Sequence, residues 1–312
     1  MKRGIAFFLS LLLLACLPAE AFAADTQWIV LPSEEGNNRE PPTVFYQSDE
    51  RWADQIYYYS DPEEEEEPPT IASAGCGLLA FVNAVYYLNG TFIDPVFLGN
   101  YAAMHDYHTD DGTLWGLYES FAEEYGAECG FVYAGESYGF WDLRNKLLDG
   151  CVAICSVPGH IMAIVDFDLK TGRYLLMDSN PHWRRGTGNG WSYKTRDELE
   201  AIPSLTTKDV GITPQFMVFR AAGTLRVNCV SDTLESGDAC GTFDVWIGGE
   251  QVADDVSTFM GLYPYGTQYA ITDVQALGEN QICDMDEADL RGDIQSFNVN
   301  LRLLFHEDPS AA

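Results

Sequence analysis

Basic residues are scarce in this sequence, where 17 lysines and arginines stand against 48 aspartates and glutamates and the formal net charge is -31. Phosphates and anionic lipid headgroups would repel a chain of this charge. The charge therefore argues against nucleic-acid binding and against docking on an acidic membrane. It is compatible with cationic partners, and equally with solubility in an extracellular setting.

Long apolar runs are also missing beyond the N-terminus, since no later segment approaches the roughly 18 residues of a membrane-spanning helix. At the N-terminus, two basic residues precede a short apolar core, and Ala-Phe-Ala at 21–23 suits signal-peptide cleavage. The pattern predicts a signal peptide over residues 1–23 and a secreted or cell-surface protein. A second interpretation takes Leu-Leu-Ala-Cys as a lipoprotein signal that leaves Cys16 acylated.

Removal of the signal would leave an odd number of cysteines, which indicates at least one free thiol in an exported protein. Cys151 and Cys155 stand four apart in a strand-like segment, so their Cα atoms would be ~13 Å apart. A disulfide needs less than ~7 Å, so these two should not pair. Cys229 and Cys240 bracket a short polar loop and could pair.

The rest of the chain divides by composition into three parts. Residues 24–42 form a polar, proline-containing leader that we expect to be flexible. Residues 43–222 carry helical patterns first and short apolar strands second, an order typical of an α+β fold. Residues 223–312 carry strand patterns near 224–230, 242–247, 267–276 and 296–305, with Gly248-Gly249 as a hairpin turn, and predict a separate all-β, sandwich-like module.

Cys76 lies between two glycines at the head of a long apolar segment, which predicts a buried helix ending at Asn89-Gly90. A cysteine attacks as a thiolate, and the unpaired N–H groups of a helix N-terminus favour that charge. The N–H of Cys76 would face a developing oxyanion, and Gly75 and Gly77 would let a substrate approach closely. The same triplet also fits a buried structural cysteine at a tight turn.

His160 is the preferred base because it stands at the mouth of an apolar strand, where an imidazole is held firmly and still reaches a cleft. His105 and His108 lie among aspartates, but two histidines without a clear third ligand predict a polar surface loop rather than a metal site.

An imidazole also needs an acceptor that fixes its tautomer. Asp166 would lie about 20 Å along the same strand, which is too far. The chain then turns back, so Asp178 is the preferred partner of His160 and Asn180, on the same face, is the reserve. Asp178 could instead cap a turn in Asp-Ser-Asn-Pro.

These residues together resemble the papain-like cysteine peptidases, closest to the group related to the bacteriocin double-glycine leader peptidases. The resemblance covers about residues 43–220 and includes the order Gln, Cys, His, Asp and the segment DGTLWGLYESFAEEYG. It implies a papain-like α+β fold in which Cys76 is the nucleophile and His160 the general base and acid. It further implies that Asp178 orients the histidine and that the Gln47 amide is a second oxyanion donor. No cofactor or metal is predicted.

Two features depart from that family. Leu78 and Leu79 replace the small or Pro-Thr residues common after Gly-Cys-Gly, which could narrow the site beside the thiol. The best-known members act inside the cell as parts of transporters, whereas this chain begins with an export signal. Leader cleavage during bacteriocin export is therefore not implied.

Two acidic segments have no assigned role. Five consecutive glutamates at 63–67 form an exposed loop or a lip that attracts cationic substrates. Negative charge beside a thiol opposes its ionisation, so we expect this loop to project away from Cys76. Residues 284–293 cluster carboxylates but lack the glycine and spacing of a helix–loop–helix calcium site, which predicts a solvated turn.

The favoured function is a secreted cysteine peptidase that cleaves peptide bonds through a Cys-His-Asp triad and an acyl-enzyme. A cell-wall peptidoglycan endopeptidase or amidase, with the β-module contacting wall material, is the first alternative. A non-catalytic binding or adhesion protein on a peptidase scaffold is the second. The expected partner is a peptide or protein substrate, with no nucleic acid and no integral membrane segment.

Overall fold

The computed structural model describes the following residues: 29–30, 42–57, 68–109, 112–157, 159–180, 188–202, 215–231, 240–278, 281–283 and 290–307. The residues expected to form a signal peptide, the glutamates at 63–67 and most of the acidic segment after residue 283 lie outside the described residues. In the part that is described, no helix combines the length and the hydropathy needed to cross a bilayer.

Six described helices are numbered in chain order. They are α1 (Ile71–Ala74), α2 (Cys76–Asn89), α3 (Pro95–Met104), α4 (Gly116–Cys129), α5 (Phe140–Leu148) and α6 (Arg196–Glu200). The first nine strands are β1 (Ile29–Val30), β2 (Phe92–Ile93), β3 (His108–Thr109), β4 (Gly112–Thr113), β5 (Phe131–Tyr138), β6 (Cys151–Val157), β7 (His160–Asp168), β8 (Arg173–Met177) and β9 (Trp191–Lys194). The others are β10 (Gln215–Ser231), β11 (Gly241–Ile247), β12 (Glu250–Val256), β13 (Thr258–Pro264), β14 (Gln268–Ala276), β15 (Gln281–Cys283), β16 (Arg291–Asp293) and β17 (Asn298–Glu307).

The fold is mixed, with few helices and large, mostly antiparallel sheets. Its helices lie before residue 149 apart from the short α6, and the described residues from 215 onward form strands and turns but no α-helix. The predicted sequence of helices first and strands second therefore holds as a coarse description.

Helix α2 is the centre of the N-terminal core. Its first ten residues are all buried, and Asn83 is the one polar side chain among them. It packs against β6 and β7, and Phe81 contacts a ring of aromatic side chains at centroid distances of 5.1 to 5.8 Å: Tyr118, Phe121, Phe131 and Phe219. Gly90 ends the helix with φ +79° and its N–H donates to the Tyr86 carbonyl, a termination that favours glycine. The helix start at Cys76 is thus held rigidly against the sheet.

The largest sheet has nine strands, and β10 joins its two halves. The first half of β10 pairs with β5 and β6 up to Ala221, whereas its second half pairs with β13 and β17 from Ala222 onward. The expected domain boundary at residues 222 and 223 falls inside this strand. The two parts of the chain therefore share a continuous strand.

The C-terminal part packs a four-stranded sheet, in the order β12-β11-β14-β16, against the second half of β10 and its neighbours. Its core contains Phe243, Phe305 and Leu303, all buried, together with Val227. Gly241 lies directly against the Phe305 ring, because a Cβ there would come within 2.2 Å of it. This region has its own apolar core, as expected for an all-β module.

Several strands are absent from the sequence-based expectations. β5 was not foreseen, and Ile29–Val30 of the expected leader pairs with Phe92 and Ile93. In the C-terminal part, β12 and β13 were also missed. β12 reads Glu-Gln-Val-Ala-Asp-Asp-Val and is largely exposed, so its backbone pairing with β11 leaves no alternating apolar signal.

Candidate active site

Cys76 is the first residue of the 14-residue helix α2 and is 7% exposed. Gly75 precedes it at the junction with α1, where a Cβ would lie 2.5 Å from the Ile71 carbonyl oxygen. At Gly77 a Cβ would lie 2.5 Å from the Thr113 Cβ and 2.6 Å from the Tyr118 hydroxyl oxygen. The space beside Gly77 is therefore filled by the protein itself and is not open to a substrate, contrary to the expectation from the sequence.

His160 begins β7 and is 4% exposed. Its Nε2 lies 2.8 Å from Oδ1 of Asp178, which immediately follows β8. The β7–β8 hairpin makes this possible, because it pairs Ala163 with Met177 and so returns the chain toward the start of β7. The hairpin thus brings together two residues that are 18 positions apart.

The His160 ring also forms a hydrogen bond with the Cys76 side chain. Because Nε2 faces Asp178, Nδ1 is the ring nitrogen left for the sulfur. Burial of the ring lowers the His160 pKa, but the hydrogen bonds to Asp178 and then Cys76 outweigh it and raise the pKa to about 9. The imidazole is therefore held in its protonated form at neutral pH.

Asp178 is held in place from two sides. Its Oδ1 also accepts a hydrogen bond from the backbone N–H of Asn180 at 2.8 Å, and its own N–H donates to the Gly190 carbonyl at 2.7 Å. Gly190 has φ +69°, and a Cβ there would come within 2.7 Å of the Tyr46 ring. Asn180, the reserve orienter, thus contributes its backbone N–H to Asp178, while the carboxylate of Asp178 bonds to the histidine.

Gln47 is 3% exposed and lies between Ser179 and α1. Its N–H donates to the Ser179 carbonyl at 3.0 Å, and its side-chain Nε2 lies 3.4 Å from the Ile71 carbonyl and 3.3 Å from that of Ala72. The amide is therefore adjacent to the segment that leads into Cys76, with long hydrogen bonds to α1. Its role as an oxyanion donor stays a prediction.

The remaining candidates lie elsewhere. Asp166 accepts a hydrogen bond from the Tyr87 hydroxyl at 3.3 Å, far from the His160 end of β7. His105 is exposed and packs on the Tyr101 ring, with 4.3 Å between the ring centroids. Within the described ranges, no group of three or more histidine, cysteine or acidic side chains could hold a metal ion.

All seven cysteines from Cys76 onward are free thiols, including Cys229 and Cys240, whose pairing the sequence allowed. Burial raises the pKa of five of these thiols, which makes them poor nucleophiles near neutral pH: Cys129, Cys151, Cys155, Cys229 and Cys240. Cys76 is the thiol that contacts the His160 imidazole.

The segment DGTLWGLYESFAEEYG contains two residues that pack behind the cysteine, Thr113 and Tyr118, but the sequence assigned no role to either of them. Thr113 follows the positive-φ Gly112 in β4, and its Oγ1 lies 2.7 Å from the Tyr57 hydroxyl. Tyr118 lies in the first turn of α4 and is fully buried. A further signal was a tyrosine on an otherwise apolar helix face beside Leu117 and Phe121.

The contribution of His160 to the stability of the fold is expected to depend on pH. A histidine in an unfolded chain has a pKa of about 6.5, whereas that of folded His160 is about 9. Its stabilising contribution is therefore complete below about pH 6.5 and is lost as the pH rises through about 9. We expect the difference in unfolding free energy between wild type and His160→Gln to shrink by on the order of 3 kcal/mol across that window. Denaturant titrations at a series of pH values measure it, and a constant difference would contradict the assignment.

No protein-family model and no curated protein matches the sequence. Among solved structures, the chain is similar to one titled "The Bacillus anthracis TIE protein", at 11% identity over 50% of this chain and with a TM-score of 0.22. The match covers 31% of that chain, so it spans less than a third of the other protein. A similarity of this size carries no argument about fold or activity.

Proposed function

We propose that the protein is a cysteine peptidase with a papain-like arrangement in residues 43–222. The observation that carries the proposal is the single hydrogen-bonded series in which the His160 ring bonds to Cys76 on one side and to Asp178 on the other. These three residues come from a helix N-terminus, the start of one strand and the end of the next. A nucleophile, a base and an orienting carboxylate in this order are what acyl transfer through a thiol requires.

The reaction begins with attack of the Cys76 thiolate on a peptide carbonyl carbon, which forms a C–S bond. The protonated His160 then donates its proton to the leaving amine as the C–N bond breaks, giving a thioester and a free amine. Water attacks the thioester, and His160 accepts a proton from it. Cleavage of the C–S bond releases the acid and restores the thiolate beside the imidazolium.

Charge on the carbonyl oxygen is stabilised by the start of α2. The proposed donors are the Cys76 N–H and the positive end of the 14-residue helix that begins at Cys76. Gln47 is the proposed second donor, since its side chain is buried next to α1, immediately before the cysteine. For it to act, its amide must exchange the two long bonds to the Ile71 and Ala72 carbonyls for one to the oxyanion.

We further propose that the protein is exported and acts on extracellular peptides or proteins. The N-terminal pattern over residues 1–23 and the strongly acidic composition support this setting. The same acyl chemistry would also cleave cell-wall peptides, so the substrate is the point on which the two enzyme hypotheses differ.

The test is hydrolysis of unfolded protein and of purified wall sacculi by the protein, each with Cys76→Ala as the control. We expect the protein to release new amino termini from the unfolded protein and the control to release none. Release from sacculi alone would move the assignment to a wall endopeptidase or amidase. The absence of cysteine-dependent release from either substrate would contradict the proposal.

A further inference from the structure

The Tyr118 hydroxyl is a buried polar group whose position demands an explanation. The residue has no exposed surface, and its Oη is one of a few buried side-chain atoms in the described part of the chain with no hydrogen-bond partner. Burying a hydroxyl without a hydrogen-bond partner is unfavourable. Phenylalanine would fill the same space without that cost, so packing alone does not account for a tyrosine here.

The hydroxyl points at the first turn of the helix that carries the candidate nucleophile. A Cβ on Gly77 would lie 2.6 Å from the Tyr118 oxygen, which places that oxygen against the residue following Cys76. The phenol also interacts electrostatically with the Cys76 thiol and with Tyr57. Tyr57 hydrogen-bonds to the Thr113 hydroxyl at 2.7 Å, whereas the Tyr118 hydroxyl has no hydrogen-bond partner among the described residues.

Tyr118 keeps its proton. Burial raises its pKa well above the ordinary value of 10, and the nearby Cys76 raises it further. The group is therefore a neutral O–H dipole at every pH at which the protein would act. At a buried position, a fixed dipole acts on a neighbouring charge much more strongly than it would in solution.

We propose that Tyr118 is a positioning residue for Cys76, whose buried O–H dipole stabilises the thiolate and whose oxygen packs against the first turn of α2. This inference deepens the proposed function and rests on it, because the thiolate is the form that attacks. The titratable groups that the structure places around this turn are His160 from β7, with Asp178 behind it, Tyr118 from α4 and Tyr57 behind Thr113. Within the first turn of α4, Glu119 is the charged residue next to Tyr118.

The test is the rate of alkylation at Cys76 by iodoacetamide as a function of pH, mapped by mass spectrometry, in wild type and Tyr118→Phe. We expect the midpoint of the profile to move up by about one pH unit in the variant, so that alkylation below the midpoint slows about 10-fold. kcat/KM for a peptide substrate should fall by a similar factor at unchanged KM. An unchanged profile in a folded Tyr118→Phe protein would overturn the inference.

Ser137→Ala is the matched control. Ser137 is also fully buried, and its hydroxyl likewise lacks a partner, but it lies on β5 opposite Phe216. Its removal should alter the melting temperature without moving the alkylation profile. If both variants moved the profile equally, the effect would be one of general stability and the inference would fail.

A second variant tests the same dipole in the opposite direction. Replacement of Tyr118 by 3-fluorotyrosine retains the ring and makes the hydroxyl a stronger donor, so the midpoint should move to lower pH. A shift to higher pH would contradict the inference.

His160→Gln separates this result from the proposed function. If that variant alters the profile and Tyr118→Phe does not, only the inference fails; if the wild-type thiol already behaves like that of His160→Gln, the proposed function itself fails.

Discussion

Cys76→Ala is expected to lower kcat for peptide hydrolysis by about 10⁶-fold while the protein remains folded. In the proposed reaction the thiol is the protein group that bonds covalently to the substrate carbonyl carbon, so no neighbouring side chain can replace it. Alanine fits the site because the residue is small and buried at the helix start, and it leaves the Gly75 and Gly77 contacts intact. Hydrolysis measured with a fluorogenic peptide and folding measured by circular dichroism provide the comparison.

Cys229→Ala is the control for this experiment. Cys229 is half-buried in the C-terminal core, where burial raises its pKa to about 12. Its loss should leave kcat within a small factor of the wild-type value. The account would be wrong if Cys76→Ala retained hydrolysis within about 10-fold of wild type, or if Cys229→Ala abolished it.

The second large effect is expected at His160. His160→Gln removes the ring that hydrogen-bonds both to the sulfur and to Asp178, and we expect kcat to fall by about 10⁵-fold or more. The double variant His160→Gln/Cys76→Ala should be almost as active as the less active single variant. When two residues act as one unit, losing either one already removes their joint contribution to kcat. Steady-state kinetics of the two single variants and the double variant measure this. Additive losses would show that the two residues act separately.

Two variants of Asp178 separate the contribution of its negative charge from that of its hydrogen bond to His160. Asp178→Ala should cost about 10²- to 10⁴-fold, whereas Asp178→Asn keeps an oxygen that can accept from His160 Nε2 and from the Asn180 N–H. The asparagine variant should therefore be the more active of the two. Because it lacks the charge that raises the His160 pKa to about 9, its alkaline activity limit should move to lower pH. Equal activity of the two variants would contradict this role.

Those parts of the structure that depend on local pattern could be predicted from the sequence. Helix α2 begins and ends where its apolar run and Asn89-Gly90 indicate, at Cys76–Asn89. The strand from His160 and the return strand before Asp178 were also foreseen, because each is short, apolar and bounded by turn residues. Hairpin reversal alone then favoured Asp178 over Asp166, and the His160 to Asp178 distance of 2.8 Å agrees with that choice.

What could not be predicted depends on contacts between distant segments. Gly77 looked like an opening for substrate, but its space is taken by Thr113 and Tyr118, which lie more than thirty residues further along the chain. The length of β10 was missed for a similar reason. Its two halves face different cores, so its pattern changes at Ala222, and the change resembles a domain boundary although the strand continues.

The central claim is that Cys76 is a nucleophile activated by His160, and covalent trapping tests it most directly. A peptidyl epoxide, which reacts with a thiolate held beside an acid, should add one equivalent to the protein. Peptide mapping should place the adduct on Cys76, and His160→Gln should slow its formation by at least about 10²-fold. An adduct spread over the other cysteines, or a rate that does not depend on His160, would contradict the account.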